Sequence, residues 1–297
     1  MKFPILIIFY VCFINISLSQ HTKKQYLAQK PPGLKPEIFA PHLVSKDNRS
    51  EFGSVFSADG LEFFYAIDEG GKAEIHYSVY EKDEWTAPTA IISHPVYSFN
   101  DPFLSVDGQK LFYISDRSID GSGNKKDYDI WYSNREGDGW SEPINTGSHI
   151  NTTFNEYYIS FAEDGSMYFS SNAQADKGKN HDFDIYKAEW KESEFQKPVK
   201  LSDYINTKAY EADVFVAPDE SYLIFSAARK KGLGRGDLYI SFKSANGEWS
   251  KASNMGPLVN TEGHELCPFV TKDGKYFFFT SNQDIYWVDA SLLEAFR

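Results

Sequence analysis

Hydrophobic runs in this chain are short and come in pairs, each pair joined by a Ser/Thr-x-Asp-Gly-like turn whose aspartates are Asp59, Asp107, Asp164, Asp219 and Asp273. The turns are 48, 57, 55 and 54 residues apart, a mean of 53.5, so each pair belongs to a larger repeating unit. Gly60, Gly108, Gly165 and Gly274 follow four of the aspartates and supply the positive φ of a tight hairpin, whereas Glu220 stands in the fourth turn. Around each turn the order is an acidic residue, a strand, the turn, a second strand, a polar loop, a third strand, another turn and a fourth strand. Second strands are predicted at 61–66, 110–115, 166–171, 222–227 and 275–281, and third strands from Glu74, Asp129, Asp184, Asp237 and Asp284. Fourth strands are predicted to open with Trp85, Trp140, Phe195 and Trp249, the first three with Pro88, Pro143 and Pro198 three residues on.

Four short strands per unit of about 50 residues describe a propeller blade. The fold class expected is all-β: a five-bladed β-propeller of four-stranded antiparallel blades. The fifth unit lacks its own fourth strand, but residues 37–44 mimic the Trp-x-x-Pro strands and are predicted to pair with the last blade and close the ring, which removes two open sheet edges. In the tail, Leu292, Leu293 and Phe296 are spaced for one face of a turn or two of helix.

Composition supports this reading: 16% of the 297 residues are aromatic and only 3 are Met, a balance that favours strands over helices. The identical placement of aromatics in successive units points to packing between blades rather than ligand stacking. With a net charge of -12, nucleic acid and anionic lipid are disfavoured as partners. After Met1 and Lys2 an apolar run extends to Leu18 and ends in Ser17-Leu18-Ser19, the pattern of a secretory signal peptide cleaved after Ser19; a single membrane anchor is the alternative, for which the run is slightly short. The domain plan is then signal peptide 1–19, N-terminal linker 20–36 and one propeller domain 37–297, a periplasmic or secreted monomer with no membrane span after cleavage. Cleavage removes Cys12 and leaves Cys267 without a disulfide partner, in a strand pattern that predicts a buried thiol.

The segments Ser105-Val106-Asp107-Gly108, Leu111-Phe112-Tyr113-Ile114-Ser115-Asp116-Arg117 and Asp129-Ile130-Trp131 resemble the TolB-like, WD-related β-propeller repeats of exported bacterial proteins, and the resemblance extends over residues 37–297. It implies a propeller serving as a protein-interaction platform. Such propellers usually have six blades, the alternative to the five counted here.

Strand reversal brings the start of the first strand, the end of the second and the start of the third to one face. That face collects Glu51, Asp101, Glu156, Glu211 and Glu265 from the inner strands, Arg117, Asn172, Arg229 and Asn282 from the second strands, and the polar loops 118–128, 173–183 and 230–236. The five carboxylates are expected to ring the channel mouth, and these nine residues form the candidate binding set. A structural role, as hydrogen-bonded clasps between blades, is the stronger reading of these residues, and the two roles can coexist.

Catalysis is not the preferred reading. Every unit carries an equivalent carboxylate, whereas glycosidase chemistry needs two made different by their surroundings, so a carbohydrate-active enzyme using the five carboxylates is the alternative. His149, His181 and His264 lack zinc-site spacing. No cofactor is expected; the loop with Asp120, Ser122, Asn124, Asp127 and Asp129 has oxygen ligands suited to calcium without the ordered spacing of an EF-hand. Gly232, Gly234 and Gly236 lie between strands and do not form a phosphate loop. The expected function is a non-catalytic binding or scaffolding propeller that recognises an envelope or secreted protein, or a polysaccharide, through its loop-bearing face.

Overall fold

The second strand of each unit is a continuous apolar run because it is covered on both sides: Phe63, Phe64, Tyr65 and Ala66 are all fully buried, as are Leu223, Ile224 and Phe225. Such strands build five radial antiparallel sheets in a computed structural model that describes residues 24–173 and 182–297. The proposed signal peptide, most of the loop 173–183 and His181 lie outside the described residues.

From the axis outward, blade one contains Ser50–Phe56, Glu62–Asp68, Ala73–Glu81 and Thr89–Ile92, and blade two Phe99–Leu104, Lys110–Arg117, Lys125–Glu136 and Ile144–Asn145. Blade three contains Glu156–Phe161, Met167–Ser171, Asp184–Ala188 and Val199–Lys200, and blade four Tyr210–Val216, Tyr222–Ala228, Asp237–Phe242 and Ser253–Asn254. Blade five contains Glu265–Val270, Tyr276–Ser281 and Asp284–Asp289, and its outermost strand is Glu37–Ile38, with Glu37 opposite Trp287. The ring therefore closes with an N-terminal strand, and the five-blade count holds over six. The tail Ala290–Phe296 is a 3₁₀-helix that buries Leu292 and Leu293.

The Ser/Thr-x-Asp-Gly turns have a local cause. Ser57 Oγ and the Leu61 amide both donate to Asp59 Oδ1 (2.6 and 3.1 Å), while the Glu62 amide donates to Ser57 Oγ at 2.9 Å. Ser105 with Asp107, and Thr271 with Asp273, repeat this side-chain turn. Glu220 holds a left-handed φ of 55° without glycine's freedom. Its carboxylate accepts from Tyr168 Oη and from Lys187 and Lys243 Nζ at 2.6 and 2.8 Å, tying blade three to blade four. Burial alone would raise its pKa, but these donors outweigh burial and hold it at about 2.

The fourth strands differ from expectation. Trp85, Trp140 and Phe195 lie in two-residue strands that pair back on or beside the third strand, and the true fourth strands begin directly after Pro88, Pro143 and Pro198. Proline has no amide proton for the ladder, so pairing starts beyond it. The aromatics brace these hairpins. Trp140 also meets Phe64 of blade one edge-on at 5.9 Å and carries the Arg135 guanidinium over its ring at 4.5 Å.

Candidate functional site

Three of the four glutamates on the inner strands terminate a second repeated motif, Asn-Thr-x-x-x-Glu, at Asn151 to Glu156, Asn206 to Glu211 and Asn260 to Glu265. Each asparagine grips the third strand of the preceding blade. Asn151 accepts from the Ile130 amide at 2.8 Å and donates to the Ile130 carbonyl at 2.9 Å, and Asn206 and Asn260 do the same at Ile185 and Leu238. The following threonine donates through both its amide and its hydroxyl to the glutamate, for Thr207 at 3.0 and 2.7 Å. A third donor completes each site: Ser171 for Glu156, Arg229 for Glu211 and Ser281 for Glu265. In blade one the Lys46 amide and Arg49 take the place of threonine around Glu51. All four glutamates are fully buried. Rather than ringing an open mouth, they are held inside clasps between successive blades, because each sits at the foot of a connection whose amides need an acceptor.

Asp101 does not belong to this set. Glu51, Glu156, Glu211 and Glu265 each lie eight residues before their turn aspartate, and the residue at that position in blade two is Phe99. The register agrees, with Phe99 opposite Ser115 as Glu156 is opposite Ser171. Asp101 occupies instead the β-bulge of the inner strand, equivalent to Gly53, Tyr158, Asp213 and Cys267, and all five have φ between 46° and 63°. The bulges bring Asp101, Asp213 and Cys267 into one buried group on the axis, where Cys267 Sγ donates to Asp101 Oδ1 at 3.5 Å and Tyr158 Oη donates across to the Pro268 carbonyl at 2.9 Å. Cys267 is thus buried as predicted, but among carboxylates. Burial pushes its thiol up, as it pushes Asp101 up to about 7 and Asp213 well above the usual carboxylate range, the latter helped by the Asp101 charge.

A pH dependence follows. Between about pH 4 and pH 7 the folded chain retains protons that the unfolded chain releases, so each retained proton contributes a stability that declines by up to ~1.4 kcal/mol per pH unit as pH rises through that window. Asp213→Asn is expected to flatten the decline and to raise the melting temperature at pH 8, which thermal unfolding at pH 5 and pH 8 would read. Equal shifts at the two pH values would refute it.

The remaining predicted residues are dispersed. Arg229 joins the clasp, with Nε 3.0 Å from Glu211 and a second bond to the Ile205 carbonyl, and its guanidinium lies 4.6 Å from the centre of the Tyr239 ring. Among the described residues Arg117 forms no ion pair, and it rests over Tyr97 and Trp131. Asn172 accepts from the Asn155 amide. Exposed Asn282, at φ 51°, donates to Ser281 Oγ. The third-strand aspartates turn outward: Asp129 to Lys126 and Asn145, Asp184 to Lys200, and Asp237 to Asn254 and to the Leu233 and Gly234 amides. Among the described residues no group of three or more His, Cys, Asp or Glu is placed to hold a metal ion.

What the loop-bearing face does offer is a cavity of about 450 Å³ lined by Glu51, Phe52, Asp68, Arg235, His264 and Asn282, with others. The glycine-rich segment 232–236 builds its wall by lying against the loop into blade five. The Arg235 amide donates to the Gly263 carbonyl at 2.7 Å, and the Glu265 amide donates to the Gly236 carbonyl at 2.9 Å. A Cβ at position 234 would fall 2.4 Å from the Gly263 oxygen and one at 236 would fall 2.3 Å from the His264 ring, so only glycine allows this approach. The contact leaves Arg235 exposed, with no ion pair among the described residues. Burial, then the Arg235 charge, lower the His264 pKa, which keeps the imidazole neutral at pH 7. A guanidinium, a carboxylate, an amide and a neutral imidazole over the apolar Phe52 and Leu266 can hold a polar group carrying both donors and acceptors.

No family model matches the chain, and no match was found among curated proteins. Solved structures do match. A protein assigned as TolB from Agrobacterium tumefaciens aligns over 80% of this chain and 72% of its own, with 14% identity and a TM-score of 0.51. TolB from Acinetobacter baumannii aligns over 82% of this chain at 12% identity and a TM-score of 0.52, and this chain spans 55% of its length. A protein of unknown function from Dyadobacter fermentans aligns over 88% of this chain and 83% of its own, at 14% identity and a TM-score of 0.51. The architecture is that of a β-propeller, similar in fold to these TolB structures. At these identities the likeness defines the fold and leaves the activity to be argued from the site.

Proposed function

We propose that the protein is a non-catalytic binding or scaffolding propeller, exported to the periplasm or the medium, that recognises a protein or polysaccharide through its loop-bearing face. The observation that carries this reading is the Arg235 cavity, where an unpaired guanidinium is held over an apolar floor by a segment that tolerates only glycine at two positions. The repeated glutamates support it from the other side: Glu156, Glu211 and Glu265 each accept from the threonine of their own clasp in the same way, whereas hydrolysis needs two carboxyl groups with opposed roles. Of the predicted binding set, Glu51 and Asn282 line this cavity, and Asn282 is exposed to a ligand.

Partners would be sought by pull-down from the native envelope fraction alongside glycan-array binding, with the wild-type mature protein and Arg235→Ala in parallel. The variant is expected to weaken binding about tenfold or more while the melting temperature stays within roughly one degree, since an exposed arginine at the centre of an interface contributes to binding and little to folding. Binding unchanged by Arg235→Ala, or glycoside turnover abolished by Glu156→Gln or Glu211→Gln, would overturn the proposal.

A further inference from the structure

The opposite face, where the Asp-Gly turns gather, carries a second cavity that none of the expected roles uses. It measures about 360 Å³ and opens on the axis. Its floor is aromatic: Phe103, Phe161, Phe215 and Phe269 come from four different blades, with ring centres 6.0–6.1 Å apart between Phe103 and Phe161, Phe103 and Phe269, and Phe215 and Phe269. The volume suits one large apolar side chain or a molecule of that size.

Its rim is charged and unevenly paired. Asp59 and Asp107 each accept their turn bonds through Oδ1, and those bonds hold Asp107 below the usual carboxylate range. Glu163 is exposed, and among the described residues its carboxylate has no ion pair. Arg135, which also lines the rim, is neutralised by a bidentate bond to Glu62, 2.9 Å at each nitrogen. Lys272 is the one unpaired cation described on this rim, against three carboxylates.

The chain already displays, on the same face, how such a surface takes a peptide. Tyr26 inserts edge-on between Phe56 and Tyr276, with ring centres 5.1 and 4.9 Å away, in the blade five to blade one groove beside Gly60. Gln25 donates to the Asp59 carbonyl, Lys24 pairs with Asp83 at 3.3 Å, and Trp85 donates to the Lys24 carbonyl. An aromatic residue enters a groove lined by aromatic rings while a neighbouring lysine meets an aspartate.

From the aromatic floor, the acidic rim and this internal example, we propose that the axial cavity of the Asp-Gly face is a second docking site, which takes an aromatic side chain from an extended, lysine- or arginine-bearing segment of a partner protein. The site is separate from the Arg235 cavity and stands whether or not that one binds.

The test uses the mature protein, isotopically labelled, titrated with the blocked peptide Lys-Gly-Phe-Gly-Lys and followed by amide chemical shifts. The expected result is saturable shifts confined to residues 57–59, 105–109 and their neighbours. The peptide Lys-Gly-Ala-Gly-Lys should bind at least tenfold more weakly, as should Glu-Gly-Phe-Gly-Glu. Glu163→Lys should weaken the first peptide several-fold, and Val106→Trp, at an exposed rim position, should abolish its binding by filling the mouth, with melting temperatures unchanged in both. Arg235→Ala should leave this binding intact. No saturable shifts at these residues, equal binding of the three peptides, or binding that survives Val106→Trp would each overturn the proposal. Shifts confined to the Tyr26 groove, with loss of its native contacts, would assign the peptide to that groove and overturn it equally.

Discussion

A chain that begins at Lys46 is expected to lose its cooperative folded state and to aggregate, and the single change Phe39→Ala is expected to lower stability by about 3–5 kcal/mol. Glu37–Ile38 is the outermost strand of blade five, and the backbone continues the pairing as the Phe39 amide donates to the Ile285 carbonyl at 2.8 Å. Phe39 itself is fully buried, with Phe56 and Phe63 of blade one on one side and Phe278 and Trp287 of blade five on the other, at ring-centre distances of 5.1–5.8 Å. It is thus the bolt across the seam where the two ends of the chain meet. Removing the strand uncovers the edge of Asp284–Asp289 and opens that seam, leaving an unpaired edge beside apolar surface, the arrangement that promotes association between chains. Thermal unfolding and light scattering of the truncated and Phe39→Ala proteins would measure both effects. A truncated protein that stays monomeric with an unchanged melting temperature would show that the ring does not depend on this closure.

Glu211→Ala is expected to destabilise by about 3–5 kcal/mol, because it strands buried partners instead of merely deleting a contact. The Thr207 amide and hydroxyl and the Arg229 guanidinium all aim at this carboxylate, and the whole group is enclosed by the connection from blade three to blade four. Burial raises the glutamate pKa while the Thr207 bonds and the arginine pull it down, so the carboxylate and the guanidinium depend on each other for charge balance. Loss of this size corresponds to roughly ten degrees in melting temperature for a domain of this length. Arg229→Ala should cost less than Glu211→Ala, since threonine still satisfies the glutamate, and the double variant should be less harmful than the two losses added. Strict additivity in that cycle would mean that Glu211 and Arg229 are not coupled, and a melting temperature unmoved by Glu211→Ala would mean that the clasp contributes nothing to stability.

Much of this architecture could be read along the chain because its determinants are local. The five turn aspartates work through bonds to residues within three positions, and the hydrophobic runs on either side of them have the length of a strand. The Asn-Thr-x-x-x-Glu motif was equally legible, and so was the constant interval of eight residues from glutamate to turn aspartate, which would have separated Asp101 from the set. Acidity alone placed Asp101 with the glutamates, and a shift of two positions moved it from a clasp to the axis. The aromatics Trp85, Trp140 and Phe195 signalled the right place in each blade but the wrong strand, as the proline that follows delays the start of pairing.

By itself, the order of residues determines a five-unit all-β ring closed by its own N-terminal strand, since turn chemistry and apolar periodicity act over a few residues and repeat faithfully enough to be counted. Only the tertiary structure decides what the polar residues are for. Arg229 ends in a clasp, Arg117 over two rings and Arg235 beside an open cavity, although all three are cations in the loops and strand ends of one face. The same holds for the carboxylates: those of Glu211 and Asp213 are two residues apart, one satisfied by Thr207 and Arg229 and the other buried on the axis near Asp101. The physical reason is that a charged side chain is defined by the partners that replace its water, and here those partners come from other strands and inter-blade connections, from four positions away for Glu211 to 166 away for Asp101.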